Sequence, residues 1–460
     1  MKSAEPIVAA PVLASMAVTG LFGQYDYNVP DEGHLSDAAI LYGDNGSGKT
    51  TLLNLVFHML SPADDRGHRT AIAHIPFQRF QIDLSDGTTL SATRDGDRLI
   101  GGYRLELRKD DSAVAVWDYQ PGDPRAAYEE VMKFRSQRLH GEVARVSKPS
   151  SRPDKRVNYL QALQKLNLGV YLLSADRQMS SDALHEGAEE PDIRQMLPAS
   201  ELRSAKNLLQ RTREFALTQA LRNASHWIGR QAVVGTNVGS DNVNSIYAEI
   251  VRRIARSKRV GATPKDLRAQ KQKVESTLLE IARRSNEYAR YEFMAPLKVE
   301  EMIEGLNTAT GKTAQVAISV LEPYINGAQA RFEALREIFR LTETFVNTLN
   351  GFYGNKNLAF GLTSGFNIRN SAGHPLEPQH LSSGEQQLLL LFCHTLIARD
   401  RPSLFIIDEP ELSLNVKWQR KLVRALLDVV SKSRIQFLLA SHSIELLSQH
   451  KEKVVPLRAS

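Results

Sequence analysis

The stretch that most constrains this chain is AILYGDNGSGKTTLLNLVFHML, residues 39–60. An apolar run from Ala39 to Tyr42 reads as a buried strand, and an apolar-periodic pattern after Thr50 reads as a helix. Between them, Gly43, Gly48, Lys49 and Thr50 fit G-x-x-x-x-G-K-[ST] without exception. A strand, a glycine-rich turn and a helix in that order bring backbone N–H groups and the positive end of a helix dipole to one point. That arrangement is made for phosphates. The expected phosphate-binding set is Gly43, Asn45, Gly46, Ser47, Gly48, Lys49, Thr50 and Thr51. Lys49 is expected to reach the β- and γ-phosphates, and Thr50 to offer its hydroxyl to Mg²⁺.

Two later segments supply what such a loop needs. RPSLFIIDEPELSLN, residues 401–415, holds a fully apolar run, Leu404 to Ile407, of the kind found in central parallel strands. Asp408 and Glu409 follow at its C-terminal end, where ligands of open α/β sheets bind. Asp408 is the candidate Mg²⁺ residue, and Glu409 the candidate for polarising a water. SRIQFLLASHSIELL, residues 433–447, reads as another strand, delivering His442 to the same sheet edge. Lys49, Glu409 and His442 are therefore the catalytic candidates.

A fourth segment, HLSSGEQQLLLLF (residues 380–392), puts a small polar turn at the head of an apolar helix. With the phosphate loop, IIDEPELSL and ASHS, in this order, it resembles the ABC-type ATPases. Leu381-Ser382-Ser383-Gly384-Glu385 is similar to their signature, with Ser383 where many members have Gly. Asp408-Glu409 matches the Walker B pair, Ser413-Leu414-Asn415 the D-loop, and His442 the switch histidine. The resemblance implies ATP and Mg²⁺ as ligands. It also implies that Ser382, Ser383, Gly384 and Glu385 serve not this chain's ATP but that of a second copy, across a head-to-tail dimer holding two nucleotides. It covers residues 15–60 and 375–450 well and the middle loosely.

More than three hundred residues separate Lys49 from Leu381, so a large structure is inserted between the halves of the head. Residues 75–120 read as two hairpins, turning at Asp86-Gly87 and near Asp110-Asp111. Residues 147–156 form a polar, proline-broken boundary. LGVYLLSADRQMSS then reads as a strand returning to the head; Asp176-Arg177-Gln178 falls in the family's Q-loop region, with no one of the three assigned as the ligand. From 198 to 353 the pattern is helical. Thr263-Pro264 marks a helix start, and heptad-like steps run through Val274, Leu278, Ile281, Ser285 and Tyr288, then Leu335, Ile338, Thr342, Phe345, Leu349 and Phe352. The expected fold class is α/β: an ABC-type P-loop ATPase head, with a mixed parallel sheet and an antiparallel subdomain, carrying a large inserted helical lobe like a short coiled coil. The expected domains are 1–197 and 354–460 for the head and 198–353 for the insertion.

Bulk properties narrow the functional classes. At 460 residues, two or three domains are expected. The single cysteine, Cys393, excludes a disulfide within the chain and a thiolate zinc cage, and fits a reducing, cytoplasmic setting. No apolar run is long enough to span a bilayer, and the N-terminal MKSAEPIVAAPVLASMAV, broken by Pro6 and Pro11, reads as mature protein. Residues 251–290 hold twelve Lys/Arg against four Asp/Glu, and residues 133–156 eight against two. Such a surface suits nucleic acid, an acidic protein partner, or solvent alone; Arg252, Arg253 and Arg256 are the residues to reverse in deciding among them.

Among ABC-type ATPases the motifs most resemble the soluble RecF/SMC-like proteins of the OLD type, and within them the ATPase subunits of bacterial antiviral defence systems of the PARIS or Septu type. OLD proteins carry a nuclease domain after the ATPase, whereas this chain runs eighteen residues past His442. The resemblance therefore implies a slow, regulatory ATPase that forms head dimers within a larger homo-oligomer. It would hold a separate toxic, nuclease-like effector and release it on a viral protein trigger. A RecF/SMC-like DNA repair ATPase acting at DNA ends or gaps is the alternative.

Overall fold

A computed structural model describes residues 12–122, 154–182, 213–235 and 264–458. The chain divides into two compact units, Met1–Gln210 with Ala398–Ser460, and Arg211–Ile397.

The first unit is built on two six-stranded sheets. One is antiparallel: β1 (Leu13–Leu21), β2 (Tyr25–Val29), β4 (Arg79–Leu84), β5 (Thr88–Thr93), β6 (Tyr103–Lys109) and β7 (Ser112–Tyr119), in spatial order β2-β1-β4-β5-β6-β7. The two expected hairpins are its β4–β5 and β6–β7 pairs. Asp110 and Asp111 turn the second with φ of 46° and 64°. Positive φ at both central residues matches the right-handed twist of the strands it joins.

The second sheet carries the phosphate loop. Its order is β15 (Val454–Pro456), β3 (Ala38–Tyr42), β14 (Ile435–Ala440), β13 (Ser403–Asp408), β8 (Gly169–Leu173) and β9 (Met179–Ser180). The first five are parallel, and β9 turns back antiparallel on β8. Every residue of β8, β13 and β14 is buried, which is why these strands read as unbroken apolar runs.

Helix α1 (Lys49–Leu60) lies in the core shared by the sheets. Leu52, Leu53, Leu55, Val56 and Met59 join one hydrophobic cluster with Met16, Phe80 and Ile82 of the antiparallel sheet and Leu41, Ile406 and Leu438 of the parallel one. Tyr159 and Leu163 of helix α3 (Lys155–Lys165) close it; helix α2 (His68–His74) adds Ile72 and Ala73. A buried amide ties the sheets: Gln436 of β14 accepts from Leu13 N–H (2.9 Å) and donates to Leu13 O (2.9 Å). The phosphate loop thus hangs from a rigid strand and starts a helix buried along its length.

The second unit is mainly helical. Helix α4 covers 213–235, followed by α5 (Pro264–Ala289), α6 (Glu300–Thr308), the long α7 (Gly311–Phe352), and α8 (Ser383–Ile397). A small sheet, β10 (Lys356–Gly361), β11 (Gly365–Asn370) and β12 (Pro375–Leu376), belongs to this unit. The heptad-like positions on α5 and α7 are all buried. The two helices pack through Tyr288, stacked on Phe339 at 4.2 Å, while Arg284 lies over the Phe332 ring at 4.5 Å. Cys393 is buried in α8. The boundary at 147–156 lies outside the described residues up to 153, as do Thr263 and Arg252, Arg253 and Arg256.

Candidate functional site

The site of the first unit is assembled at the C-terminal edge of the parallel sheet. In-register pairing aligns Asp408 of β13 with Ala440 of β14, and Ala440 with Leu41 of β3. Three loops therefore leave the sheet at one level: the phosphate loop Gly43–Gly48, the Glu409–Asn415 loop before helix α9 (Val416–Val429), and the Ser441–Ser443 turn before helix α10 (Ile444–Gln449).

The phosphate loop is held by its neighbours rather than by caps. Gly46 and Gly48 have φ of 84° and 85°, a region that side chains avoid. A Cβ on Gly48 would also stand 2.8 Å from Leu21 Cδ2. Tyr27 donates its hydroxyl to Ser47 O at 3.0 Å. Gly48 caps α1 with no side-chain hydrogen bond, and no acidic residue lies in the first turn, so no side chain of the helix itself neutralises its positive end. Lys49 is 5% exposed and folds back to donate to Gly43 O (2.8 Å) and Asp44 O (3.0 Å). Burial lowers its pKa, opposed by Glu409 and Asp408.

Thr50 donates its hydroxyl to Asp408 Oδ1 at 3.1 Å. Burial raises the Asp408 pKa, and the Thr50 hydrogen bond works against that rise. Glu409 stands next, with φ of 48°. A non-glycine residue in that region is strained, and such strain gathers at functional sites. Its carboxylate Oε1 is 3.3 Å from His442 Nε2. Burial, then a hydrogen bond with Glu411 and the charges of Glu411 and Asp408, push the Glu409 carboxyl up to about 7. A carboxyl poised near neutrality beside an imidazole is suited to proton transfer.

Glu411 is a participant that the sequence reading passed over. Its Oε1 accepts from Ser441 Oγ (2.8 Å), His442 N–H (2.7 Å) and Ser443 N–H (2.9 Å). The only sequence signal was a third acidic residue two positions after Glu409. Ser413 and Asn415 lie in the same loop; Ser413 has φ of 75°, and the Asn415 side chain caps α9 by accepting from Trp418 N–H at 3.0 Å. Leu412, Val416 and Ile444 (77% exposed) present apolar side chains to solvent around these loops.

Asp176, Arg177 and Gln178 form the β8–β9 turn. Arg177 has φ of 68°, Asp176 and Gln178 are exposed, and the Asp176 carboxylate is bonded by Ser174 Oγ. Farther along α1, His58 Nδ1 lies 2.9 Å from His68 Nδ1, and His68 Nε2 lies 3.1 Å from Asp182 Oδ1. Burial and the neighbouring His68 lower the His58 pKa to about 4.

The signature turn belongs to the second unit. Ser382 and Ser383 are exposed, whereas Gly384 and Glu385 are buried. Ser382 N–H donates to Glu385 Oε2 at 2.6 Å and Glu385 N–H to Ser382 Oγ at 3.4 Å, the reciprocal pattern of a capping box. Lys356 Nζ, 2.7 Å from the same Oε2, pairs with the buried carboxylate. Burial opposes the charged form of Glu385, and the hydrogen bonds from Lys356 and Ser382 outweigh it, lowering its pKa.

The family described as "AAA domain, putative AbiEii toxin, Type IV TA system" matches residues 256–448, less than half of the chain and without the phosphate loop. No curated protein matches. Solved structures similar to the chain include the Smc head domain with an extended coiled coil bound to the C-terminal domain of ScpA, from Pyrococcus furiosus. It is 12% identical, covers 95% of this chain and 92% of its own, and has a TM-score of 0.36. The Smc head with a coiled coil and joint from Pyrococcus yayanosii is 15% identical over 95% of this chain and 93% of its own, with a TM-score of 0.32. The SMC head from Thermotoga maritima is 19% identical over 24% of this chain and 40% of its own, at a TM-score of 0.19. The chain carries an α/β P-loop ATPase fold.

The donor set fits MgATP. The loop offers an uncapped helix end and a lysine, and Ser47 Oγ is buried with no hydrogen-bond partner. Thr50 and Asp408 place two hard oxygen ligands side by side, the chemistry that Mg²⁺ selects.

Proposed function

We propose that this chain is an ATP-driven switch of bacterial antiviral defence. It binds MgATP at Gly43, Asn45, Gly46, Ser47, Gly48, Lys49, Thr50 and Thr51 and hydrolyses it slowly. It acts in the cytoplasm as the sensor and scaffold of a separate toxic, nuclease-like effector, released on a viral protein trigger. The observation that carries the ATPase part is the convergence of Lys49, Thr50, Asp408, Glu409 and His442 at one sheet edge. The match to a family named for a type IV toxin system supports the defence part. No described helix is long and apolar enough to cross a membrane.

In this reading the head comprises 1–197 and 354–460, and the lobe 198–353 is inserted. Lys49 leaves its carbonyl partners for the phosphates and stabilises transferred charge. Bound Mg²⁺, held by Thr50 and Asp408, would neutralise phosphate oxygens. Glu409 takes the proton of the attacking water, and His442 orients Glu409 and that water. Ser382, Ser383, Gly384 and Glu385 present a second helix end to the ATP of a partner copy. Leu412, Val416 and Ile444 supply apolar surface beside the D-loop for such a dimer.

The test is to purify the tagged full-length chain from its native cells with ATP present and weigh what accompanies it by native mass spectrometry. The defence reading expects a symmetric assembly carrying a second protein that is toxic when released. A bare dimer whose ATPase rises on adding DNA ends would replace it with the repair reading.

A further inference from the structure

Glu411 joins two loops that the ATPase reading treats separately. Through Oε1 it takes three hydrogen bonds from consecutive residues, Ser441 to Ser443, around His442. Its main chain makes a second tie. Glu411 O accepts from Gln419 Nε2 at 3.4 Å, and Gln419 Oε1 accepts from Ser443 Oγ at 2.7 Å. Gln419 also donates to Leu414 O at 2.9 Å, and Leu414 N–H to Glu411 O at 2.9 Å. The ring Glu411–Ser443–Gln419 therefore closes on itself. It fastens the turn that carries Ser413 and Asn415 to the turn that carries His442.

Its cost argues for use. Glu411 Oε2 is buried and has no hydrogen-bond partner other than what a protonated Glu409 could offer. A loop needing only to be anchored could be held by a neutral amide. A folded protein keeps an under-satisfied buried carboxylate oxygen where it has a task. Three charge-assisted bonds to one oxygen also make a stiffer clamp than neutral ones.

We propose that Glu411 is a positioning residue for ATP hydrolysis: it sets the His442 main chain, and through His442 Nε2 the Glu409 carboxylate, as one body with the D-loop turn. Movement of the D-loop is then passed directly to the water-activating pair. This inference rests on the ATPase reading, and on no contact with the nucleotide by Glu411 itself.

The test compares Glu411→Ala, Glu411→Gln and Glu411→Asp in the full-length chain, measuring ATP affinity by calorimetry and kcat by phosphate release. Glu411→Ala is expected to lower kcat by roughly 30- to 100-fold with affinity within about threefold of wild type. Glu411→Gln, whose amide oxygen still accepts but carries no charge, is expected to recover part of that loss and to stay below wild type. Glu411→Asp, one methylene shorter, should resemble the alanine variant. In Glu411→Ala/His442→Ala the two losses should not multiply, because both act through one side chain. If the alanine variant fails to fold, Gln419→Ala carries the test, with a smaller kcat loss and unchanged affinity. Glu411→Ala hydrolysing at the wild-type rate would overturn the inference, as would Gln failing like Ala or losses that multiply. If wild type itself does not hydrolyse ATP, or Glu409→Gln hydrolyses as well as wild type, the ATPase reading falls instead.

Discussion

Helices α1 and α8 both begin at a small, glycine-containing turn and run on through apolar residues, yet their first turns are finished in opposite ways. At α1 the cap is Gly48, without a side-chain acceptor and with no acidic residue in the helix's own first turn, and a lysine folds over the loop. At α8, Ser382 and Glu385 satisfy each other's N–H groups, and Lys356 balances the carboxylate. The first end is stable only because strand, loop and core hold it, and it stays open to an anion. The second is complete without one. In the ATPase reading the unfinished end takes this chain's own phosphates and the finished end meets those of a partner copy, a distinction that glycine content, shared by both turns, does not draw.

The largest expected effect breaks the comparison at α1. Lys49→Ala should weaken ATP binding by at least about 100-fold in calorimetry, whereas Ser382→Ala should leave this chain's own ATP affinity within about twofold. Equal losses would mean that the two ends are not specialised. Gly48→Ala forces a side chain into left-handed backbone and against Leu21; a loss of ~1–3 kcal/mol in denaturant unfolding is expected. Lys356→Met strands the buried Glu385 carboxylate and should cost about 3 kcal/mol. An unchanged melting curve would mean that Ser382 alone supports Glu385.

Both helices carry a histidine in the last turn, His58 half-buried and His394 buried, and pH sharpens the contrast there. Burial holds His394 at about 4, as burial and His68 hold His58. The unfolded chain takes up these protons near pH 6.5, while the folded chain waits until about 4. Stability should therefore fall as pH drops from 6.5 to 4, by on the order of 2 kcal/mol per histidine. His58→Gln and His394→Gln should each flatten the slope in calorimetric melts between those limits. The smallest effect is Ser382→Ala on stability, about 1 kcal/mol for a lost cap.

Much of this architecture was legible because local pattern and tertiary role coincide. The runs Leu404–Ile407 and Phe437–Ala440 are apolar throughout because both faces of their sheet are covered. Val274 to Tyr288 and Leu335 to Phe352 step by three and four because one face of each helix packs. Asp110-Asp111 turned a hairpin as their chemistry suggests. What escaped has no such local signature. Glu411 is one acidic residue in a polar loop, and its partners lie thirty residues on, brought close only by parallel pairing of β13 and β14. The His58–His68–Asp182 chain joins the end of α1 to the start of α2 and to the segment after β9, and leaves no period in the sequence. Glu385 matched a motif, but its service to its own helix depends on Lys356, twenty-nine residues earlier.

The central claim is that an open α1 end and a finished α8 end belong to one ATP-bound pair of heads. The most direct measurement is sedimentation of the Glu409→Gln chain with and without saturating ATP and Mg²⁺. The account predicts an ATP-dependent shift to a form of twice the mass, abolished by adding Lys49→Ala. A folded, nucleotide-bound Glu409→Gln chain that sediments as it does without ATP would contradict it.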